Sequence, residues 1–435
     1  MPDPKEDVGN TSVSAENRPM EEGFLFDPNP LVVRLLLDRK MDRELDYAVP
    51  PQWREQVRLG TRVLAPVRGR DLPGTVVEAG VTYDGPEGSL KPISKVLGDA
   101  PVLNQRLLDL ARWIGEYYCC PMSGVMRGIL PNVIRAPEAD FRKQLAVELV
   151  EEPPAEEMEK LGRRSPKQHE ILRLVMGLEK PPLLRDVLNR CATGPGTVDG
   201  LVKKGWVRKI EVVVQRDPHA REEFTASSGL ALNPEQREAL DHMEALLEKA
   251  FGKREETGQQ DAAPQPPKPT LLYGVTGSGK TEVYLRAIER VLEMGRNALV
   301  LVPEISLTPQ TVERFKSRFN QIQRQVAVLH SHLSAGERHD EWHKIRNGKA
   351  RIVIGARSAV FAPLEDVGLI VVDEEHEGSY KQDEAPRYHA RDVAVVRAAM
   401  EKCPILLGSA TPSLESFANT QNGKYDLLRL NLRAD

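Results

Sequence analysis

The spacing of apolar residues changes several times along the chain, and each change marks a candidate boundary. From Leu31 short β-rich runs appear, Leu31–Leu37, Arg62–Val67 and Gly74–Val77, each bounded by Gly, Pro or Asp. Leu107, Leu108, Leu110, Ala111, Ile114 and Tyr118 then share one helical face. Together they predict a small β-rich module with an appended helix over residues 29–140. Residues 141–164 include the acidic, proline-bearing run Glu151–Glu157 and read as a linker. Ser165 followed by Pro166 fits a helix start, with serine as N-cap and proline in the first turn. Short helices and a strand pair around Trp206–Gln215 follow, which suits a winged helix over 165–228; a structural three-helix spacer fits the pattern equally well. In residues 229–435 a helix over Asn233–Ala250 precedes a polar, Pro/Gln-rich insertion at 252–270. Strand-like runs at Ala298–Pro303, Val326–Leu329, Ile352–Ile354, Leu369–Val372 and Ile405–Leu407 then alternate with amphipathic helices. That alternation predicts an α/β fold, a parallel sheet with helices on both faces. Residues 1–28, poor in aromatics and rich in Asn, Ser, Glu and Pro, read as a disordered tail.

Composition narrows the function classes. The 435 residues carry 60 basic and 64 acidic side chains, a formal net charge of −4, with 40% hydrophobic residues. Such a chain can bury a core, which excludes wholesale disorder, and its charge balance confines any nucleic-acid contact to a local patch. No run of roughly eighteen apolar residues is present, so no transmembrane helix or membrane partner is expected. The first thirty residues lack the basic start and apolar core of a signal peptide. Cys119, Cys120, Cys191 and Cys403 form no CxxC pair, so neither a zinc ribbon nor a disulfide framework is readable. The chain reads as cytoplasmic.

Three segments carry chemistry. Gly274-Val275-Thr276-Gly277-Ser278-Gly279-Lys280-Thr281 fits GxxxxGK[ST] between a strand and an amphipathic helix. Its glycines let backbone N–H groups curl around phosphates, Lys280 would reach the β/γ-phosphates of ATP, and the Thr281 hydroxyl would ligate Mg²⁺. The apolar strand Leu369–Val372 delivers Asp373-Glu374-Glu375-His376 to the carboxyl end of the sheet. There Asp373 would hold Mg²⁺ and Glu374 would orient or deprotonate water; alone, this segment could be a solvated acidic turn. Gly408-Ser409-Ala410-Thr411-Pro412 closes a third strand and could be a plain β-to-helix turn. Upstream, the amide of Gln236 in Asn233-Pro234-Glu235-Gln236 matches the donor–acceptor edge of adenine, although the segment also suits an ordinary helix start. His330, His332, His339 and His343 include an i,i+4 pair, but a metal site there is not expected.

With the first two motifs in place, Ser409-Ala410-Thr411 resembles the SAT element that links nucleotide state to DNA contact in superfamily-2 helicases, with His376 on its coupling path. Wider stretches resemble the primosomal protein N′ (PriA) family of replication-restart helicases: Leu272–Tyr284, Leu301–Gln310, Ile354–Phe361 and, above all, Asp373–Asp392, an aromatic-rich loop directly after the DEEH box. The resemblance runs from about residue 30 to the end. It implies a RecA-like helicase lobe preceded by a β-rich 3′-end-binding domain and a winged helix. The implied activity is ATP-dependent 3′→5′ unwinding at stalled or abandoned forks, leading to primosome assembly.

The resemblance also implies residue roles. Arg43-Glu44-Leu45-Asp46-Tyr47-Ala48-Val49-Pro50 is similar to the family's 3′-end-binding segment, where Asp46 would accept a hydrogen bond from the terminal 3′-hydroxyl. Without the family, Asp46 is a turn residue before a strand. Arg357 and Ser358 would touch the backbone of the tracking strand; Tyr380 and Tyr388 would offer stacking faces, and Lys381, Arg387 and Arg391 phosphate contacts. Pairing with Glu377, Asp383 and Asp392 is the alternative for Lys381 and Arg391. Expected partners are forked and single-stranded DNA, single-stranded DNA-binding protein and other primosome proteins, in a nucleoid-associated setting. Zinc is expected for the family, but its cysteines do not occur in this sequence. No second lobe or arginine finger is identified, so the isolated chain is expected to bind ATP better than it hydrolyses it. A fork-binding scaffold and another superfamily-2 translocase are the rival readings.

Overall fold

The computed structural model describes residues 30–39, 43–86, 89–98, 101–135, 143–178, 180–213, 229–252 and 265–433. The tail call at 1–28 and most of the insertion call at 252–270 lie outside these residues. The chain divides into two compact units, residues 1–105 and 106–435.

The first unit is an antiparallel sheet of β1 (Leu31–Leu37), β2 (Leu45–Val49), β3 (Arg62–Val67), β4 (Arg70–Ala79) and β5 (Lys95–Leu97), in the order β2-β1-β4-β3-β5. Alternate residues Val33, Leu35 and Leu37 of β1 enter a core with Tyr47, Val49, Val63, Ala65 and Val76, following the two-residue period of a strand, and Val32 and Leu36 on its other face are buried as well. Arg62 is almost fully buried, and its two Nη atoms donate to Asp38 at 2.8 and 2.6 Å and to Thr75 at 2.9 Å.

The second unit opens with α1 (Gln105–Tyr117), α2 (Met122–Ile129) and α3 (Asn132–Arg135). These helices were expected to belong with the β-rich module. By contacts the chain divides after Gln105, since α2 and α3 pack against elements of the large sheet domain. The expected linker at 141–164 is also structured: it holds β6 (Lys143–Leu149) and α4 (Ala155–Arg164). With α5 (Pro166–Met176), α6 (Leu184–Arg190), α7 (Pro195–Lys203) and β7 (Val207–Val213) these form one small module. Its core of Val147, Leu161, Ile171, Leu172, Val187, Val198 and Leu201 draws on both sides of the supposed boundary. β7 pairs antiparallel with β6 from upstream, and Ala146 bridges Leu183, where a strand pair after Trp206 was expected. Residues 214–228 lie outside the described set.

The remainder is a seven-stranded, all-parallel sheet of β8 (Thr270–Gly274), β9 (Asn297–Leu301), β10 (Val326–Leu329), β11 (Ile352–Gly355), β12 (Val367–Val372), β13 (Ile405–Ser409) and β14 (Asp426–Leu430), in the order β10-β11-β9-β12-β13-β8-β14. Helices α8 (Pro234–Phe251), α9 (Lys280–Glu293), α10 (Pro309–Arg318), α11 (Ala335–Arg346), α12 (Ala390–Glu401) and α13 (Leu414–Gln421) accompany it. β12 is buried along its whole length, as expected of a strand covered on both faces. This is the RecA-like architecture. Its strand order places the carboxyl ends of β8, β13 and β12 side by side. Tyr284 of α9, fully buried, reaches past Gly408 of β13 to Asp373 after β12 because Gly408 leaves room: a Cβ at Gly408 would lie 1.5 Å from the Tyr284 hydroxyl.

Two stability predictions follow from these contacts. Asp38→Ala strands the buried Arg62 guanidinium and should cost about 3 kcal/mol or more. Hydrogen exchange of the β1–β5 amides would read that loss, and unchanged protection would refute it. Gly408→Ala should cost about 1–3 kcal/mol by overpacking, with Tyr284→Phe restoring part of the lost melting temperature. A Gly408→Ala protein melting like the parent would contradict this packing.

Candidate nucleotide and DNA site

At the carboxyl end of β8 the chain turns through Gly277 and Gly279, both at φ +80°, and enters α9 at Lys280. Only glycine adopts that backbone without strain, and the turn exposes main-chain N–H groups at a helix N-terminus, where anions are favoured. Lys280 is nearly buried, and its Nζ donates to the Gly274 carbonyl at 2.7 Å, so the ammonium rests on the loop it would leave for a phosphate. The Ser278 hydroxyl is buried without a hydrogen-bond partner, an orphan polar atom that a ligand on this loop could satisfy. Thr276, Gly277, Ser278, Lys280, Thr281, Asp373 and Glu374 border one cavity of about 730 Å³, within the range of ligand sites. Val275, just before these residues in the loop, is exposed and does not line the cavity.

Gln236 is placed differently from the expectation. It is buried, its Nε2 donates to the Ser278 carbonyl at 2.8 Å, and its Oε1 accepts from the Asn233 N–H at 2.9 Å in a capping box. The amide edge offered to adenine is thus engaged within the protein, and Gln236 braces the phosphate loop from behind.

Asp373 follows β12, and its carboxyl is held above the usual range by burial and by the charge of Glu374, offset by the Tyr284 hydroxyl and Lys280. The Tyr284 hydroxyl donates to Asp373 Oδ1 at 3.1 Å, and the Tyr380 hydroxyl donates to the Asp373 carbonyl at 2.7 Å. Burial pushes both phenols well above the ordinary tyrosine value, so each remains a donor. Glu374 has φ +43°, a left-handed conformation costing about 1–2 kcal/mol in a residue with a Cβ. Strain of this kind gathers where a side chain must be aimed. Thr281 and Asp373 supply a hydroxyl and a carboxylate to one cavity, the donor set suited to Mg²⁺ that also binds substrate phosphates.

The segment after β13 is tied to this end of the sheet through two neighbouring residues. His376 Nδ1 lies 2.7 Å from the Ser409 hydroxyl, its Nε2 3.1 Å from the Thr411 hydroxyl, and Glu374 is 3.7 Å away. Ala410 lies between those hydroxyl residues and contributes backbone alone. Glu375 is fully buried. It accepts from the Ser413 N–H at 2.8 Å, the Ser413 hydroxyl at 3.0 Å, the Ser416 hydroxyl at 2.8 Å and Arg391 at 3.1 Å. Sequence reading overlooked Glu375 and Tyr284. A carboxylate inside the DEEH run and a tyrosine four residues after Lys280 carry no period that marks them as partners.

The expected DNA contacts separate into two groups. Tyr380 is fully buried and Tyr388 nearly so, packed edge-on against Phe361 with ring centroids 5.1 Å apart. Neither offers a face to a base, so the stacking role is corrected: the rings anchor the loop from beneath. Arg391 is likewise buried and occupied by Glu375, Ser413 and Asp392, and its expected phosphate contact is corrected to an internal ion pair. Lys381 and Ser358 are at the surface, and Arg357 is half-buried with Nη1 donating to the carbonyls of Ser379 and Lys381 at 3.2 and 2.6 Å. The four histidines form no metal cluster: His339 contacts Asp340, and burial lowers His343 to about 4.

In the first unit Asp46 lies within β2, opposite Arg34 of β1, in place of the turn suggested by local sequence. Its carboxylate takes Arg34 Nε at 2.9 Å and Nη2 at 3.4 Å, while Arg34 also reaches Glu78 at 2.8 Å. The carboxylate remains about a quarter exposed, with lone pairs free to accept another donor.

Comparison with known proteins agrees with this anatomy. Residues 34–131 match the family model of the PriA 3′ DNA-binding domain, and residues 256–420 match that of the DEAD/DEAH box helicase. The replication restart protein PriA of Bacillus subtilis (strain 168) is 35% identical over 91% of this chain and 55% of its own length. Its counterpart in Haemophilus influenzae is 36% identical over 93% of this chain and 52% of its own length. Among solved structures, the Pyrococcus furiosus Hef helicase domain is 20% identical over 43% of this chain and 37% of that one, with a TM-score of 0.30. The chain spans about half the length of the curated relatives it matches. Two domain models in chain order, and identity sustained along nine-tenths of the residues, make the chain similar over most of its length to the PriA replication restart proteins.

Proposed function

We propose that this chain carries the ATP-binding and fork-recognition chemistry of an ATP-dependent 3′→5′ DNA helicase of the PriA type. It would act at stalled or abandoned forks and begin primosome assembly in the nucleoid. One observation supports this most directly: Lys280, Thr281, Asp373 and Glu374 border a single cavity at the carboxyl edge of a parallel sheet. The N–H groups of the 276–281 loop cradle the nucleotide phosphates, and Lys280 exchanges the Gly274 carbonyl for a phosphate oxygen. Thr281 and Asp373 would hold Mg²⁺, which would supply positive charge beside the phosphates. Glu374 orients the attacking water and takes its proton. His376, Ser409, Ala410 and Thr411 relay the state of that site along β13. In the first unit Asp46 accepts the 3′-hydroxyl of a nascent strand, a donor that internal phosphodiesters lack. The helices and paired strands of residues 143–213 serve as a winged-helix DNA contact. Arg357, Ser358 and Lys381 hold the DNA backbone. The partners are forked and single-stranded DNA and, on the family resemblance, single-stranded DNA-binding protein and other primosome proteins.

The nucleotide half is tested on the purified chain. Lys280→Ala should lose the rise in melting temperature that Mg·ATP gives the parent, and equal shifts would refute the assignment. Glu374→Gln should keep that shift while lowering DNA-stimulated turnover about 10²–10⁴-fold, the range expected of a general base. Nucleotide binding with no DNA-stimulated turnover in the parent would instead mark a scaffold.

The 3′-end assignment is tested with forks whose leading strand ends in a hydroxyl or a phosphate at the branch. A hydrogen bond to a charged acceptor is worth about 1.5–3 kcal/mol, so the parent should prefer the hydroxyl by roughly ten- to a hundredfold. Asp46→Ala should remove that preference and leave duplex affinity unchanged, Glu78 remaining as partner to Arg34. Undiminished discrimination by the variant would move the 3′-end site elsewhere.

A further inference from the structure

A second cavity, about 450 Å³, opens at the carboxyl ends of β9, β10 and β11, along the same sheet edge as the nucleotide site. Arg127 of α2, Arg135 of α3, Arg338 of α11 and Arg357 line it, against the two carboxylates Glu304 and Glu384. Several arginines of the surrounding domain are neutralised: Arg286, Arg290, Arg318 and Arg391 each contact at least one Glu or Asp. The cavity departs from that pattern. Among the described residues no carboxylate is in ion-pair contact with Arg127, Arg338 or Arg357. Arg338 donates to the carbonyls of His330 and Ser331 at 3.4 and 3.0 Å, and Arg357 to those of Ser379 and Lys381. Neutral carbonyls fix a guanidinium's direction and leave its charge uncompensated. Several such cations around one concavity repel one another until an anion enters. Glu304 accepts from the Ser331 hydroxyl, which holds that carboxylate on the strand-end side.

We propose that this cavity grips the phosphodiester backbone of single-stranded DNA, with Arg127 and Arg338 as phosphate contacts added to Arg357. The proposal rests on the reading that the chain tracks along DNA, and it deepens that reading by extending the strand's path onto α2 and α11. Shape favours a single strand over a duplex. The site is concave, with α2 on one side and the 379–388 loop on the other, and these walls meet where Gly128 packs on Pro386: a Cβ there would lie 3.5 Å from the proline ring. Of the two rings that border it, Tyr388 is buried and the half-buried His330 imidazole lies against His332. The grip is therefore on phosphates and indifferent to base sequence.

Salt dependence of oligo(dT) binding to the whole chain tests this. Each phosphate contact to a single strand contributes about 0.7 to the slope of log K against log[salt]. Arg127→Ala/Arg338→Ala should lower that slope by about 1.4 and weaken binding roughly tenfold at moderate salt. Arg127→Lys/Arg338→Lys, which keeps both charges, should retain most of the slope. Melting temperatures of both double variants check folding, and the single Arg127→Gln and Arg338→Gln proteins, each losing about 0.7, serve if the alanine pair is unstable. A slope left unchanged in the alanine pair, with a parent that does bind oligo(dT), would overturn this proposal alone. A parent that fails to bind single-stranded DNA at low salt would overturn the tracking reading as well. A thermal shift by inorganic phosphate that the alanine pair erases, with oligo(dT) affinity unaltered, would assign the cavity to a free anion and also overturn the proposal.

Discussion

The fully buried carboxylate of Glu375 is the constraint on which the site's geometry depends. An ionised group cannot remain inside a protein without a full set of partners. Glu375 finds them in Arg391 of α12, in the Ser413 N–H and hydroxyl at the start of α13, and in the Ser416 hydroxyl one turn on. Two helices and the segment after β13 are thereby fixed to the end of β12. With Glu375 immobile, the residues on either side have little choice of direction. Glu374 is driven to φ +43°, and His376 turns towards Ser409 and Thr411. The carboxylate proposed to activate water and the histidine proposed to couple the motifs are thus aimed by a buried neighbour.

Asp373 is held by a different means. Two buried phenols grip it from opposite sources, Tyr284 from the nucleotide-binding helix and Tyr380 from the aromatic-rich loop. The loop in turn receives Arg357 through the carbonyls of Ser379 and Lys381. A short chain of hydrogen bonds therefore joins a surface guanidinium to the residue placed to hold the metal: Arg357, the loop backbone, Tyr380, Asp373. The aromatic residues do their work here from inside. A tyrosine exposed for stacking could not simultaneously bond a main-chain oxygen beneath the sheet edge.

Much of this was legible in the sequence, and the reason is physical. Strands buried on both faces read as short apolar runs, so Val326–Leu329 was located to the residue and Ile352–Gly355 to within one. The phosphate loop and the DEEH box were legible because their chemistry demands particular residues at particular intervals. What failed were features set by tertiary partners. β6 hides in an acidic segment because its pairing partner β7 lies some sixty residues downstream, as the Glu148–Arg208 pairing illustrates. Helical period could not tell that the contacts of α2 and α3 lie with the large sheet domain, because it shows which face is buried but not against what. Aromatic and basic residues in the 377–392 loop looked like a DNA surface from composition alone; burial, which composition cannot reveal, divides them into anchors and contacts.

That division bears on how a helicase lobe can be at once stiff and responsive. The nucleotide side is over-determined: Gln236 braces the phosphate loop, Tyr284 fills the gap left by Gly408, and Glu375 locks the DEEH turn. The edge above β9, β10 and β11 is under-determined, its guanidiniums resting on carbonyls that bind a cation weakly and release it to a better acceptor. A carboxylate in that position would compete with any phosphate, because ion pairing would have to be broken before DNA was bound. A carbonyl imposes a far smaller penalty, so an arriving phosphate can draw Arg357 away and alter the loop that carries Tyr380. On the proposed reading, leaving the cations on neutral partners lets the DNA-facing edge respond while the nucleotide-facing edge stays braced.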